Sequence, residues 1–439
     1  MPDFISVKSI VDSQLCTQCG TCVVVCPTGA LKMQETSAGF LHPFITEYKC
    51  VACGKCRRVC PGAIVDLKLH SDVDPFKGNI CEAYVGHACD ESIRVRGQSG
   101  GVVSALLLYL LETGQANAAL VTSMPSDGSL RPKSMLARTK SEILEARGSK
   151  YCPVAANKTL KHVLPGDNVA IVGPACHMHG IQLLARNQKK FVQNISCKIG
   201  LFCDRTLLYT CIDQMAKDAK CDMSSINSVE YRSKARNGWP GEVCFHLNSG
   251  KKRYFPKSLR MNLKDYFTPP RCRLCFDKMN ILSDISIGDS YEVSSSRKGY
   301  SVFIARNKNA VELINDSCRK GYLQCKKIDA ELIFNGQRVE ERRNNFVIFS
   351  REWVGMGRNL PEYKGLNSKF LPPVSSAISS VYKENLMFNC RIAECDTKQE
   401  CLKIVSRNKV LKRVRRLLTT NPLVTIKRII ERINILIVL

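Results

Sequence analysis

The sequence predicts a small α+β unit built around a duplicated cysteine word, an α/β body behind it, and a basic helical C-terminal tail. Three observations predict this order. Two copies of one cysteine word, Cys16-x2-Cys19-x2-Cys22-x3-Cys26-Pro27 and Cys50-x2-Cys53-x2-Cys56-x3-Cys60-Pro61, fill the first 61 residues. Strand-like and helix-like segments then alternate through the middle of the chain. Residues 402–439 interleave Leu, Ile and Val with ten Lys/Arg against one acid, Glu431.

The spacing of the words carries chemistry. Three thiolates in one tight loop take three corners of a cubane, and the trailing Cys-Pro supplies the fourth corner of the other cluster. This assigns Cys16, Cys19, Cys22 and Cys60 to one [4Fe-4S] cluster and Cys50, Cys53, Cys56 and Cys26 to the second. Zinc sites use two CxxC pairs farther apart, without a third cysteine at the next step or a closing Cys-Pro. Pro27-Thr28-Gly29-Ala30 and Pro61-Gly62-Ala63-Ile64 follow the words. With them the segment resembles a bacterial-type two-cluster ferredoxin in every ligand position.

The predicted division is a two-cluster domain over 1–66, a linker over 67–80, a body over 81–300 with its C-terminal part over 301–395, and the tail over 396–439. In the body, Arg96-Gly97-Gln98-Ser99-Gly100-Gly101 leads into an apolar helix over Val102–Glu112, with Gly114 placed for its C-terminal end. Strands are expected over Ala118–Thr122, Asn168–Val172, Ile195–Cys203 and Ser301–Arg306, and a helix over Ala310–Arg319. The turns ending the first three strands are where open α/β sheets hold ligands. No chemistry is read from the Arg-rich stretch Gly336–Asn345.

The chain has 439 residues, 24 cysteines and a formal net charge of +26. The cysteines outside the two words lack the dense spacing of a disulfide scaffold, which predicts a reducing compartment. Met1-Pro2-Asp3-Phe4 lacks the features of a signal peptide and no apolar run is long enough to span a bilayer, so the cytoplasm is expected. The excess charge favours anionic ligands or acidic partners. No nucleic-acid module accompanies it.

From Arg96-Gly-Gln-Ser-Gly-Gly-Val-Val-Ser-Ala-Leu-Leu onward, the body resembles the coenzyme F420 hydrogenase/dehydrogenase beta-subunit family, which also contains 7-hydroxymethyl chlorophyll a reductase. Further matching words are Gly148-Ser-Lys-Tyr-Cys-Pro-Val, Val169-Ala-Ile-Val-Gly-Pro-Ala-Cys, Ile199-Gly-Leu-Phe-Cys, Tyr231-Arg-Ser-Lys with Gly238-Trp239, and Cys272-x2-Cys275 leading to Asp284-Ile-Ser-Ile-Gly-Asp289. The chain departs at Gly173-Pro174-Ala175-Cys176-His177, where the family commonly has Gly-x-Pro-Cys-Gln. The resemblance implies a flavin-binding α/β body with FAD and a third [4Fe-4S] cluster, whose matching cysteines are Cys176, Cys203, Cys272 and Cys275. By spacing alone, Cys272-x2-Cys275 also reads as a redox pair or half a zinc site.

Within the resemblance, the loop Gly97, Gln98, Ser99, Gly100 and Gly101 becomes the phosphate site for FAD, because glycines admit an anion to the bare N–H groups of a helix start. Without it, the loop reads as a tight helix entry. Lys150, Tyr151, Lys234 and Trp239 are candidates to contact flavin or substrate, with core packing the alternative for Trp239. Cys152 and Cys197 are reserve ligands. Cys81, Cys89, Cys211, Cys221, Cys244, Cys318, Cys325, Cys390, Cys395 and Cys401 read as buried structural cysteines. His177 and His179 are placed on opposite faces of a strand, in a hydrogen-bonding role near the third cluster.

These readings describe an oxidoreductase that joins a ferredoxin or another one-electron carrier to a two-electron substrate, with coenzyme F420 one candidate. The alternatives are a non-catalytic relay subunit and a ferredoxin-dependent reductase of polysaccharide or other secondary metabolism. The tail is expected to be dispensable for cofactor binding and to attach to an anionic membrane surface or an acidic partner. Pro422 is expected to break it into two helices, and the alternative is a helix packed on the body.

Overall fold

A computed structural model describes residues 6–67, 69–294, 296–373 and 379–420. In the N-terminal unit the two cysteine words fold alike. The third residue of each, Gln18 and Ala52, and the fifth, Gly20 and Gly54, have positive φ, and four-residue helices Thr21–Val24 and Lys55–Arg58 follow. These left-handed residues let each chain segment curl back within one turn. The sequence repeat is therefore also a repeat of conformation. Strands β1 (Leu31–Glu35) and β2 (Leu41–Ile45) form a hairpin between the words, and β3 (Ile64–Asp66) follows the second.

The body contributes β4 (Glu82–Ala88), β5 (Ala118–Ser123), β6 (Lys133–Ala137), β7 (Val169–Pro174) and β8 (Ile195–Leu201) to one large sheet. Strands β9 (Ile226–Ser233), β10 (Glu242–Leu247) and β11 (Lys252–Phe255) form a separate antiparallel sheet. The chain then returns to the large sheet as β12 (Ile285–Asp289), β13 (Ser301–Ala305) and β14 (Leu323–Lys327). Its strand order is β14-β4-β13-β12-β8-β7-β5-β6. Neighbours β5, β7, β8 and β12 pair in parallel, and the flanking strands pair antiparallel. The α/β expectation thus resolves into a mixed sheet with a parallel centre.

One face of this sheet is covered by the Val102–Glu112 and Lys308–Arg319 helices. The first is apolar nearly all round because it is buried nearly all round. The other face is covered by the Ala175–Asn187 helix together with Val24, Val25 and Val59 of the N-terminal unit. That unit is therefore fixed to the body. The Asn157 N–H donates to Cys19 O at 3.0 Å and its side chain donates to Thr21 Oγ1 at 2.9 Å. Gly180 leaves room for this contact, since a Cβ there would meet Thr21 Oγ1 at 2.2 Å.

Two boundary expectations are corrected. Residues 67–80 are no free linker: Phe76 is buried edge-on against Phe276 and Phe346, and Asp74 pairs with Arg343. The boundary at residue 300 cuts through the large sheet, because β13 lies between β12 and β4. The C-terminal part also returns to the N-terminal unit, where β15 (Glu362–Lys364) pairs in parallel with β3.

The tail begins as one helix, Lys398–Thr420. Cys401 and Val405 are fully buried in the core under the small sheet, and Lys409 pairs with Asp218 at 2.7 Å. Its first turns pack on the body, which is the alternative of a helix packed there. The break at Pro422 and the second helix lie outside the described residues. Among the described residues no helix is long and apolar enough to cross a membrane.

Candidate redox site

The N-terminal cysteines gather into two quartets across the repeat. Cys26, Cys50, Cys53 and Cys56 line one small cavity of about 60 Å³. Cys60 instead keeps company with the first word. Burial, followed by Cys60, raises the thiols of Cys16 and Cys22 well above their ordinary value, and burial followed by Cys19 pushes Cys60 up to about 12. Crowded, desolvated thiols of this kind lose their protons readily only to a metal that supplies positive charge.

A third quartet stands at the carboxyl ends of the parallel strands. Cys176 opens the helix after β7, Cys203 follows β8, and Cys272 and Cys275 flank the end of the short Pro270–Arg273 helix. Burial raises Cys176 first, then Cys203, Cys19, Cys275 and Cys272. Cys19 of the N-terminal unit is thus an electrostatic neighbour of this quartet. Burial also raises Cys272 and Cys275, while the Arg271 and Arg342 guanidiniums draw both down. Arg342 donates to Cys275 O at 3.3 Å, and Arg271 donates to Leu274 O at 2.8 Å. Such buried cations compensate an anionic centre.

One cavity of about 1290 Å³ joins these groups. Its wall includes Cys16, the third quartet, and the strand ends Thr122, Gly173, Leu201 and Asp289. On the other side it is bounded by Gly97, Gln98, Ser99, Gly101 and the first residues of the Val102–Glu112 helix. Gly101 at φ 79° caps that helix without a side-chain bond, so its first N–H groups keep their capacity for an anion. Buried polar atoms without a protein partner also ring the cavity, namely Thr206 Oγ1, His177 Nδ1, His179 Nδ1, Arg260 Nε, Arg271 Nε and Ser290 Oγ. These features fit a large polar, anionic cofactor.

Not every loop residue faces this space. Gly100 points at the sheet, where a Cβ would meet Gly86 O and Ser301 N at 2.7 Å, and its N–H donates to Ser301 Oγ. Its glycine is required by close packing rather than by an anion. The Ser99 hydroxyl bonds with Ser301 Oγ at 2.7 Å, and Gln98 spans from Ser149 N to Arg232 O. Lys234 is also corrected. Its ammonium donates to the carbonyls of Arg94, Ser99 and Lys298, so it braces the loop from behind.

Lys150, Tyr151 and Trp239 do line the cavity. Burial lowers Lys150 to about 7. The Trp239 indole N–H donates to Asp289 Oδ1 at 2.9 Å. Asp289 receives both arms of Arg232 at 2.7 and 3.0 Å, and Arg232 also reaches Tyr151 Oη at 3.2 Å. Sequence reasoning assigned no role to this Arg232–Asp289 pair, or to Arg342 in the stretch left without chemistry. The signal for the pair lay in two words already noted, Tyr231-Arg232-Ser233-Lys234 and Gly288-Asp289.

The reserve ligands stay outside the quartet. Cys197 is packed on β8 in the sheet core, and Cys152, though at the cavity wall, neighbours Tyr231, Arg131 and Lys150. His177 and His179 lie on the Ala175–Asn187 helix and not on a strand. They still diverge, by about 200° at 3.6 residues per turn. His177 Nε2 meets Val154 O and His179 Nε2 meets Asp277, each at 3.0 Å, the latter two residues from Cys275. Among the cysteines read as structural, Cys81 and Cys89 are exposed, and Cys221, Cys318 and Cys325 are half-buried.

Comparison with known proteins agrees with this architecture. Residues 15–64 match the model of the 4Fe-4S dicluster domain. Residues 83–161 match the model for the N-terminal part of the coenzyme F420 hydrogenase/dehydrogenase beta subunit, and residues 166–331 the model for its C-terminal part. The chain is 27% identical over 373 residues to the coenzyme F420-dependent sulfite reductase of Methanocaldococcus jannaschii, covering 79% of this chain and 54% of that protein. It spans only about half of that relative's length. It is 24% identical to the coenzyme F420 hydrogenase subunit beta of Methanosarcina barkeri, over 65% of this chain and 97% of that one. The fold is shared with a chain of the F420-reducing [NiFe] hydrogenase complex from Methanosarcina barkeri, at a TM-score of 0.52 and 22% identity over 66% of this chain and 98% of that chain. The chain belongs to the coenzyme F420 hydrogenase/dehydrogenase beta-subunit family and carries a 4Fe-4S dicluster domain ahead of it.

Proposed function

We propose that the chain is an iron–sulfur flavoprotein subunit of an oxidoreductase, carrying electrons between a one-electron carrier and a two-electron substrate. The observation that carries this reading is the single cavity bounded by a bare helix start on one side and a cysteine quartet on the other. Cys16, Cys19, Cys22 and Cys60 suit one [4Fe-4S] cluster, Cys26, Cys50, Cys53 and Cys56 a second, and Cys176, Cys203, Cys272 and Cys275 a third. The electrostatic influence of Cys56 on Cys22, and of Cys19 on Cys176, supports an order of the quartets from the surface to the cavity.

FAD suits the cavity. When bound, a flavin exchanges hydride with a two-electron partner and single electrons with clusters. The bare N–H groups at the start of the Val102–Glu112 helix would bind its pyrophosphate, while the Gly97 and Gly100 N–H groups donate to Ile93 O and Ser301 Oγ and shape the loop. Tyr151 and Trp239 offer aromatic surface, and Asp289 with Arg232 holds Trp239 in orientation. The basic wall, with Arg205, Arg260, Lys257 and Lys264, suits an anionic substrate. Coenzyme F420, for which the relatives are named, is the first candidate.

The surface at the outer quartet suits an acidic carrier such as a ferredoxin. Cys53 is exposed there, beside Tyr48 at 85% and Val51 at 61% exposure, with Lys49, Lys55, Arg57 and Arg58 close in sequence. A reducing compartment, the cytoplasm, keeps such thiols available for metal.

The test is a count on anaerobically purified protein. Denaturation should release about one FAD per chain alongside about twelve irons, as three cubanes require. Protein with about twelve irons and no flavin refutes the flavoprotein and leaves a relay subunit.

A further inference from the structure

The Lys308–Arg319 helix carries Cys318 in its last turn and is followed closely by β14, the edge strand that carries Cys325. The two Sγ atoms lie 3.3 Å apart, in contact and half-buried. Cys325 sits opposite Gly86 on β4, and a Cβ at Gly86 would come within 2.5 Å of Cys325 Cβ. The lack of a side chain at Gly86 is what admits the cysteine this closely. Exposed Cys89 is a third thiol at the same edge, its N–H donating to Tyr322 O in the turn between helix and strand.

These thiols belong to none of the three quartets. Their sulfur neighbours are each other, and Tyr84 lies beside them. A structural role in a core does not require two thiols in contact at a solvent-accessible edge. We infer that Cys318 and Cys325 form a redox-active dithiol that exchanges with low-molecular-weight disulfides, separately from the iron–sulfur relay.

The order of attack follows from the contact. Either sulfur can donate across the contact, and the Cys318 thiol, which the Cys325 side chain and then the Cys325 backbone N–H lower against burial, is assigned as the nucleophile. Its thiolate attacks one sulfur of the small disulfide and expels one thiolate, leaving a mixed disulfide. The Cys325 sulfur, giving its proton to solvent, then attacks Cys318 Sγ and expels the second thiolate. One small disulfide is reduced to two thiols, and the protein dithiol is oxidised to one disulfide.

The experiment uses the full chain, purified anaerobically, incubated with glutathione disulfide near neutral pH, alkylated and digested with trypsin without reductant. Cleavage after Arg319 and Lys320 puts Cys318 and Cys325 on different peptides, and cleavage after Arg94 separates both from Cys89. The expected result is a Cys318–Cys325 cross-linked pair as the main disulfide product, reversed by dithiothreitol, with iron content unchanged. Cys325→Ser should accumulate a glutathione adduct on Cys318. Recovery of both cysteines fully alkylated, a main cross-link to Cys89 instead, or cross-linking only after iron is lost would each overturn the inference.

Discussion

Lys150 gives the cavity one group that changes charge near neutrality. Burial lowers it to about 7, partly opposed by Cys152, against about 10.4 for a free lysine. Between those values the unfolded chain binds the proton and the folded chain does not, so stability rises with pH across that window, and the burial penalty is complete below it. Relative to Lys150→Met, the parent should therefore gain stability from pH 7 to pH 10 in chemical denaturation. A constant difference between the two proteins contradicts the burial. The crossed cysteines give a second residue-level test. Cys60→Ser should remove about four irons from the inner quartet, and Cys26→Ser the same number from the surface quartet. Electron paramagnetic resonance of the reduced proteins should then show Cys60→Ser losing the same signal as Cys16→Ser, and Cys26→Ser the same signal as Cys50→Ser, whereas Cys60→Ser matching Cys50→Ser would mean that each word binds its own cluster.

At the scale of elements, the tail helix is a packing element at its start. Ending the chain at residue 397 removes Cys401 and Val405 from the core under β9–β11. A fully buried aliphatic side chain contributes about 1.5–3 kcal/mol, so the melting temperature should drop by several degrees or more. Equal melting of the shortened and the full chain would refute the packing. The helix over Val102–Glu112 and the strands before the cysteine turns were legible in the sequence because their signals are local: an apolar run interrupted only by Ser104, a glycine at each end, short β-branched stretches. What escaped depended on which way a side chain turns after the chain has folded. Nothing within Tyr231-Arg232-Ser233-Lys234 tells that Arg232 meets Asp289, 57 positions on, while Lys234 turns to three loop carbonyls. Nor does spacing tell that Arg342 reaches Asp204 and Cys275, or that His177 lies on a helix.

At the scale of the molecule, the N-terminal unit is held between the large sheet and the returning β15, and on the proposed reading this holds the quartets in order toward the cavity. That order was partly legible, since two sets of cysteines were readable as words and the third came with the family resemblance. Their junction was not, because Asn157, Thr21 and Gly180 are ordinary residues until the chain brings them together. The central claim is that the third quartet joins the dicluster domain to a flavin in the shared cavity. Anaerobic stopped-flow reduction of the flavin by a reduced ferredoxin, comparing the parent with Cys275→Ser, tests it most directly. The variant should keep its flavin and about eight irons, while flavin reduction slows at least about tenfold. Reduction of the variant's flavin at the parent's rate, with the irons of the third quartet gone, would contradict the account.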